Sequence, residues 1–247
     1  MYGWRARIGL MIAHSNTIME PEFNKVVPEG VSVHVSRVKI EKITVDGLDK
    51  MNDNVARACD DLADIGASAF AYACTAASFV RSRAEDIAVQ KQIEDRLGRP
   101  AVTAAGAVID GLRKVGAKRI SVATPYPAEV NAKVKVFLES QGFEVVLIDG
   151  MDFGKIAPYP PLADTPVSHP GLQPAHLMYK LGCKCFAPGS DALFMSAAGV
   201  RTFEVIDTLE TDLGVPVITS GQAIIWAALR AAGVGAKIEG YGELLRS

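Results

Sequence analysis

The chain has 247 residues, 49% hydrophobic and 22% charged, with a formal net charge of −2. That describes an ordinary soluble globular protein, large enough for one big α/β domain or two smaller lobes, and its charge balance invites neither nucleic acid nor an acidic docking tail. No apolar run approaches the ~20 residues that span a bilayer, and the chain runs from Met1-Tyr2-Gly3-Trp4-Arg5 straight into a strand, so no membrane partner and a cytoplasmic location are expected.

Short, mostly buried strands are predicted at Arg7–Ala13, Val31–Val38, Ala67–Ala73, Ile120–Thr124, Phe143–Ile148, Ala192–Ser196 and Pro216–Thr219. Helical patterns fall at Asp46–Ile65, Arg83–Leu97, Ala105–Val115, Ala128–Gln141, Pro174–Leu181, Thr202–Leu213 and Gln222–Ala232. Helices alternating with buried strands predict crossover connections and a mainly parallel sheet.

The chain also repeats itself. Leu97-Gly98-Arg99-Pro100-Ala101-Val102-Thr103 leads into a helix ending at Gly116, and Leu213-Gly214-Val215-Pro216-Val217-Ile218-Thr219 leads into one ending at Gly233. Arg7-Ile8-Gly9-Leu10 and Arg119-Ile120-Ser121-Val122 open the two halves alike. The expected organisation is two pseudo-symmetric α/β lobes, residues 1–116 and 117–247, with the last helix free to return to the first lobe. Ligands favour the cleft between such lobes, at the carboxyl ends of the strands.

Cys74 stands at one of those ends, in Tyr72-Ala73-Cys74-Thr75-Ala76-Ala77-Ser78-Phe79-Val80, where an apolar run gives way to small and hydroxylated residues. Helix-start N–H groups there favour a thiolate and hold anions. Under the repeat its counterpart in the second half is Ala197. Of the other cysteines, Cys59 lies in a helical pattern and reads as a packing thiol, and Cys183-Lys184-Cys185 supplies only half a zinc site, so no metal is expected. Asn16 and Thr17 follow the first strand, where donors converge on anions, although an Asn-Thr turn or cap reads equally from the residues alone. None of the four histidines is placed to form a pair with a serine or cysteine, and no glycine-rich phosphate loop occurs. A reaction without cofactor is the expectation.

These motifs resemble the aspartate/glutamate racemase superfamily, and within it the branch holding maleate cis–trans isomerases, ectoine-utilisation proteins and arylmalonate decarboxylases. The carriers are His14-Ser15-Asn16-Thr17-Ile18-Met19-Glu20, the Cys74–Phe79 segment, Thr124-Pro125-Tyr126, Ser196-Ala197-Ala198-Gly199-Val200-Arg201-Thr202, residues 216–226 and Gly240-Tyr241-Gly242-Glu243-Leu244-Leu245. The resemblance implies Cys74 as the catalytic cysteine and Asn16 as a carboxylate-binding amide. It adds Thr17, Thr75 and Ser78 as further donors, Tyr126 as a phenol facing the substrate, and Ser196, Ala197 and Ala198 as the opposite wall. Three features depart from the family pattern: Ala197 replaces the second cysteine, Ser220-Gly221-Gln222 replaces a Ser-Asn-Gln, and residues 152–161 lack the asparagine that isomerases carry there.

One thiol suffices for two reactions. Cys74 thiolate could add to the double bond of maleate and be eliminated after rotation, giving fumarate; this cis–trans isomerase of a small dicarboxylate is the first expectation. The alternative is an arylmalonate-type decarboxylase in which Cys74 protonates an enediolate, which needs the thiol neutral at rest. A two-base amino-acid racemase and a non-catalytic small-acid binding protein rank below both, and a homo-oligomer is left open.

Overall fold

The computed structural model describes residues 1–40, 46–47, 51, 54–151 and 169–247, and side chains of 169 and 170 are not included. In the first lobe β1 (Ala6–Ala13), α1 (Met19–Val26), β2 (Val31–Val38), α2 (Val55–Leu62), β3 (Ala69–Tyr72), α3 (Thr75–Phe79), α4 (Arg83–Leu97), β4 (Ala101–Thr103) and α5 (Ala104–Lys114) follow in order. The second holds β5 (Arg119–Thr124), α6 (Ala128–Ser140), β6 (Glu144–Gly150), α7 (Ala175–Lys184), β7 (Ala192–Met195), α8 (Ile206–Leu213), β8 (Val217–Thr219), α9 (Ser220–Ala231) and α10 (Gly242–Arg246). Each lobe is a four-stranded, all-parallel sheet, with orders β2-β1-β3-β4 and β6-β5-β7-β8. The two orders are the same permutation, as the internal repeat predicts.

The repeat is visible atom by atom. Gly98 and Gly214 end α4 and α8 in the left-handed region, at φ 63° and 68°, where glycine carries no Cβ penalty. Glu94 Oε1 then accepts the Ala101 N–H at the start of β4, and Glu210 Oε1 accepts Val217 N–H at the start of β8, both at 3.1 Å. Thr103 and Thr219 cap the following helices by accepting from Gly106 and Gln222 N–H groups at 3.1 and 3.2 Å. Strand β4 goes unrecognised in the sequence, although its counterpart β8, also three residues long, is recognised.

Helices α5 and α9 pack on one another across the pseudo-symmetric junction, and α9 also rests on β3 and β4 of the first lobe. The expected cut between residues 116 and 117 falls in the turn between α5 and β5. The strands β3 and β7 are buried along their whole length, as sheets covered on both faces require. The lobes share an aromatic contact: Phe79 of α3 meets Phe137 of α6 edge-on at 4.8 Å between centroids and Phe194 of β7 at 6.0 Å. That contact anchors the short helix carrying Cys74 at its start to the opposite lobe.

Element bounds differ from the sequence reading where local packing intervenes. The helix expected from Thr202 begins only at Ile206, because residues 202–205 form a turn whose Val205 N–H bonds the Thr202 carbonyl. The helix expected over Asp46–Ile65 is helical at residues 46–47 and 51 and from Val55 to Leu62, and closes in a 3₁₀ turn at Ala63–Ile65; residues 48–50 and 52–53 lie outside the described residues. Among the described residues no helix is long and apolar enough to cross a membrane.

Candidate active site

Four central strand ends converge on one cavity of about 100 Å³. It is lined by Ala13, Ser15 and Asn16 after β1, Ile40 after β2, Ala73–Ala76 after β3, Pro125 and Tyr126 after β5, and Ala197–Gly199 after β7. This is the carboxyl-end crevice in which parallel sheets bind ligands, doubled by the pseudo-symmetry. Most of the lining is methyl and methylene surface, and none of the described lining residues is charged.

Cys74 is the cap residue of α3, with extended backbone (φ −118°, ψ 94°), and is 8% exposed. Burial pushes its thiol up from 9.0 to about 11, and the Ala77 N–H, which favours the thiolate, pulls it back only in part. Burial therefore opposes the thiolate preference expected from a helix start. Five residues of helix make a weak dipole, while desolvation acts on the whole charge.

Beside the thiol stand two neutral donors. Thr75 Oγ1 is sealed from solvent, has no hydrogen-bond partner of normal geometry and lies near the Tyr126 phenol. A buried hydroxyl without an acceptor costs about 1–3 kcal/mol, and one that lines a cavity points to an acceptor brought by a ligand. Burial raises the Tyr126 phenol well above its ordinary range, so it stays protonated. Ser196 donates to the Tyr126 oxygen at 3.4 Å, which leaves the phenolic hydrogen to be donated elsewhere.

Asn16 is buried in the same lining and acts as a brace. Its Oδ1 accepts the N–H groups of Ile18 and Met19 at 2.9 and 3.0 Å, and its Nδ2 donates to the Ala198 carbonyl across the cleft at 3.1 Å. One amide hydrogen remains for a ligand. Arg37 secures the loop from outside by donating to the carbonyls of Asn16 and His14 at 2.8 and 3.2 Å. His14 is itself exposed, and its Nδ1 accepts the Ile40 N–H at 3.1 Å, which places Ile40 at the cavity.

Three expected binding residues lie off the cavity lining. Thr17 is exposed, because the tight turn around Asn16 Oδ1 directs position 17 outward. Ser78 sits one helical turn beyond Cys74 and faces away, near the buried Asp86 carboxylate that also accepts from Thr103 Oγ1 at 2.8 Å and pairs with Arg83. Ser196 reaches the site only through Tyr126. Ile40, Ala13 and Pro125 line the cavity without having been singled out; their signal was an apolar or rigid residue at or just past a strand end, too common to carry weight. Residues 152–161, where the family asparagine was missed, lie outside the described residues.

Ala197 has φ 103°, the one non-glycine residue with positive φ among those described. Its N–H donates to Ser220 Oγ of α9 at 3.1 Å, which holds the strained conformation in place. Such strain costs of order 1–3 kcal/mol and gathers at functional sites. Ala197→Gly is expected to stabilise the fold by about 1 kcal/mol after the entropy that glycine adds to the unfolded chain, read from urea unfolding midpoints.

Residues 8–245 match the arylmalonate decarboxylase family. The chain belongs to that family. It is an enzyme of a group that holds both a carboxy-lyase and cis–trans isomerases. The arylmalonate decarboxylase of Bordetella bronchiseptica is 28% identical over 245 residues, covering 96% of this chain and 95% of that one. Among solved structures, the liganded form of an arylmalonate decarboxylase variant with one glycine exchanged for cysteine and one cysteine for serine superimposes with a TM-score of 0.85 at 27% identity, covering 97% and 98% of the two chains. A Nocardia farcinica maleate cis–trans isomerase variant, with one cysteine exchanged for serine and a covalently bound succinylcysteine intermediate, matches with a TM-score of 0.85 at 25% identity over 98% of each chain.

Proposed function

We propose that this protein decarboxylates a small substituted malonate, with Cys74 as proton donor. The observation that carries the reading is the neutral, enclosed Cys74 thiol set against an uncharged lining, with the methyl group of Ala197 on the opposite wall. One carboxylate of the substrate is held by the Thr75 hydroxyl, the Tyr126 phenol and the backbone of the Ala197–Gly199 turn. The other lies along the apolar surface of Ala13, Ile40 and Ala73, where a charge is poorly solvated and neutral CO₂ is at ease.

The bond from the α-carbon to that second carboxyl breaks, and its electron pair moves into the retained carboxylate to form an enediolate. Donors placed where this charge develops stabilise it, and they do so most strongly in a site poor in water. The Sγ–H proton then moves to the α-carbon. Water returns a proton to sulfur, so one substrate dianion and one proton give one monoacid anion and CO₂.

A second reading keeps Cys74 as nucleophile in a maleate-type isomerisation, and the covalent succinylcysteine on an isomerase relative favours it. That relative holds its adduct in a variant short of one cysteine, and by resemblance this chain is short of one at Ala197. Two assays on purified protein separate the readings: CO₂ release from phenylmalonate and methylphenylmalonate, and loss of the maleate signal in proton NMR, each repeated with Ala197→Cys. CO₂ release is the expected result. Maleate consumption without CO₂ release would establish the isomerase instead, and tight binding of these acids without turnover would leave a binding protein.

A further inference from the structure

The second lobe seats one of the cavity's side chains from behind. Tyr126 lies between Pro125 and Pro127, which carry no N–H, so its amide is the one backbone donor between Thr124 and Ala128. That N–H donates to Oγ1 of Thr124, the last residue of β5, at 3.2 Å. Thr124 is fully buried, and its hydroxyl donates in turn to Oδ1 of Asn131, in the first turn of α6, at 2.5 Å. Asn131 Nδ2 closes a ring by donating to the Tyr126 carbonyl at 3.4 Å.

The members of the ring decide the direction of every bond in it. The Tyr126 carbonyl can only accept and the Tyr126 N–H can only donate. The carbonyl therefore takes the NH₂ side of the Asn131 amide, which leaves Oδ1 for the Thr124 hydroxyl and that hydroxyl's lone pairs for the Tyr126 N–H. Bonds that run in one sense around a ring strengthen one another. An aspartate at 131 would offer the carbonyl no hydrogen, and a leucine of similar shape would offer neither group. Behind the ring, Gly150 of β6 comes so close that a Cβ there would meet the Thr124 carbonyl oxygen at 2.5 Å, and Lys184 of α7 donates to the Gly150 carbonyl at 2.8 Å. The pseudo-symmetric exit of β1 carries its own brace, Asn16, whereas the exit of β5 takes its amide from the helix that follows.

We propose that Asn131 is a positioning residue of the reaction: together with Thr124 it holds both backbone polar groups of Tyr126 and so aims the phenol at the carboxylate that the substrate keeps. Asn131 itself lies off the cavity lining. The inference rests on the reading of Tyr126 as a donor to that carboxylate. The ring sets the pivot from which the phenol reaches Ser196 in its own lobe and the Thr75 side of the cleft. Without the amide both polar handles of Tyr126 are loosened, and a displaced phenol stabilises the developing enediolate poorly.

Two readouts test this on the full chain, the first without any substrate. With tyrosine isotope-labelled at Cζ, the NMR signal of Tyr126 is identified by its loss in Tyr126→Phe. In Asn131→Ala that signal is expected to shift or split, while those of Tyr72 and Tyr241 stay in place. An unmoved Tyr126 signal overturns the proposal, and so does an equal displacement of all three, the mark of a general loosening. Thr124→Val, which opens the ring at its other side chain, is expected to displace the Tyr126 signal likewise and decides the matter if Asn131→Ala does not fold. In the second readout, Asn131→Ala is expected to lower kcat/KM about tenfold by itself but no more than about twofold in a Tyr126→Phe background, where no phenol is left to aim. Equal losses in both backgrounds overturn the positioning role. Absence of turnover in the native enzyme overturns the functional reading, and the NMR comparison then decides by itself whether Asn131 seats Tyr126.

Discussion

Cys74→Ser is expected to lower kcat for malonate decarboxylation by about 10²–10⁴-fold, because a serine hydroxyl is a far weaker acid and general-acid catalysis supplies that range. KM is expected to change little, since the sulfur does not hold the carboxylate. The pH profile tests the role of the thiol more sharply. The thiol is raised to about 11 by burial, so the protonated form persists through neutral and mildly alkaline pH. A proton donor with that pKa gives a level kcat that is lost only as pH climbs through about 11. A nucleophilic thiolate gives the opposite sign, a rate that rises about tenfold per pH unit until the same point. In D₂O, deuterium at the α-carbon of the product completes the assignment; a rate that rises steadily with pH would reject Cys74 as the donor.

Asn16→Ala is expected to be the most damaging of the substitutions around the cavity for stability, at about 2–4 kcal/mol. It strands the N–H groups of Ile18 and Met19 at the start of α1 and the carbonyl of Ala198 across the cleft, all buried in the native protein. For a chain of this size that corresponds to a drop in Tm of roughly 10 °C. Asn16→Asp separates the two halves of the role. It keeps the acceptor for α1 but sets a carboxylate against the Ala198 carbonyl, so KM is expected to rise with less loss of stability. Equal stability of Asn16→Ala and the native protein in urea unfolding would show that the brace carries no weight.

Much of this architecture was legible in the residues. Strand β2 and helix α4 occupy the bounds their patterns predict, because one is a run of alternating β-branched residues and the other is framed by a Ser82–Glu85 capping box and Gly98. The duplicated Leu-Gly-x-Pro-x-Val/Ile-Thr segments foretold that the two sheets would share a strand order, and Thr103 and Thr219 do cap matching helices. Helix α1 was not legible. Eight residues with Pro21 near the start and Glu20, Glu22 and Lys25 among them show little periodicity, and the helix forms because Met19, Phe23 and Val26 find the core. Likewise, the late start of α8 follows from the turn over residues 202–205, in which the Val205 N–H donates to the Thr202 carbonyl.

Ser78 illustrates the same boundary at the site. Its place in a Cys-Thr-Ala-Ala-Ser run suggested a donor beside the thiol, but its hydroxyl lies by the buried Asp86 carboxylate and off the cavity lining.

What the sequence determined by itself is therefore the set of local choices: which segments pleat or coil, that the plan is used twice, and that a cysteine ends one strand while an alanine ends its counterpart. Periodicity, caps and small residues encode these within a few neighbours. Only the tertiary structure decided the burial that pushes the Cys74 thiol up, the strained backbone of Ala197, and the use of Asn16 as a tie between lobes. Each of those depends on how much water is excluded and on which distant donor is near, and desolvation and packing are properties of the assembled cleft.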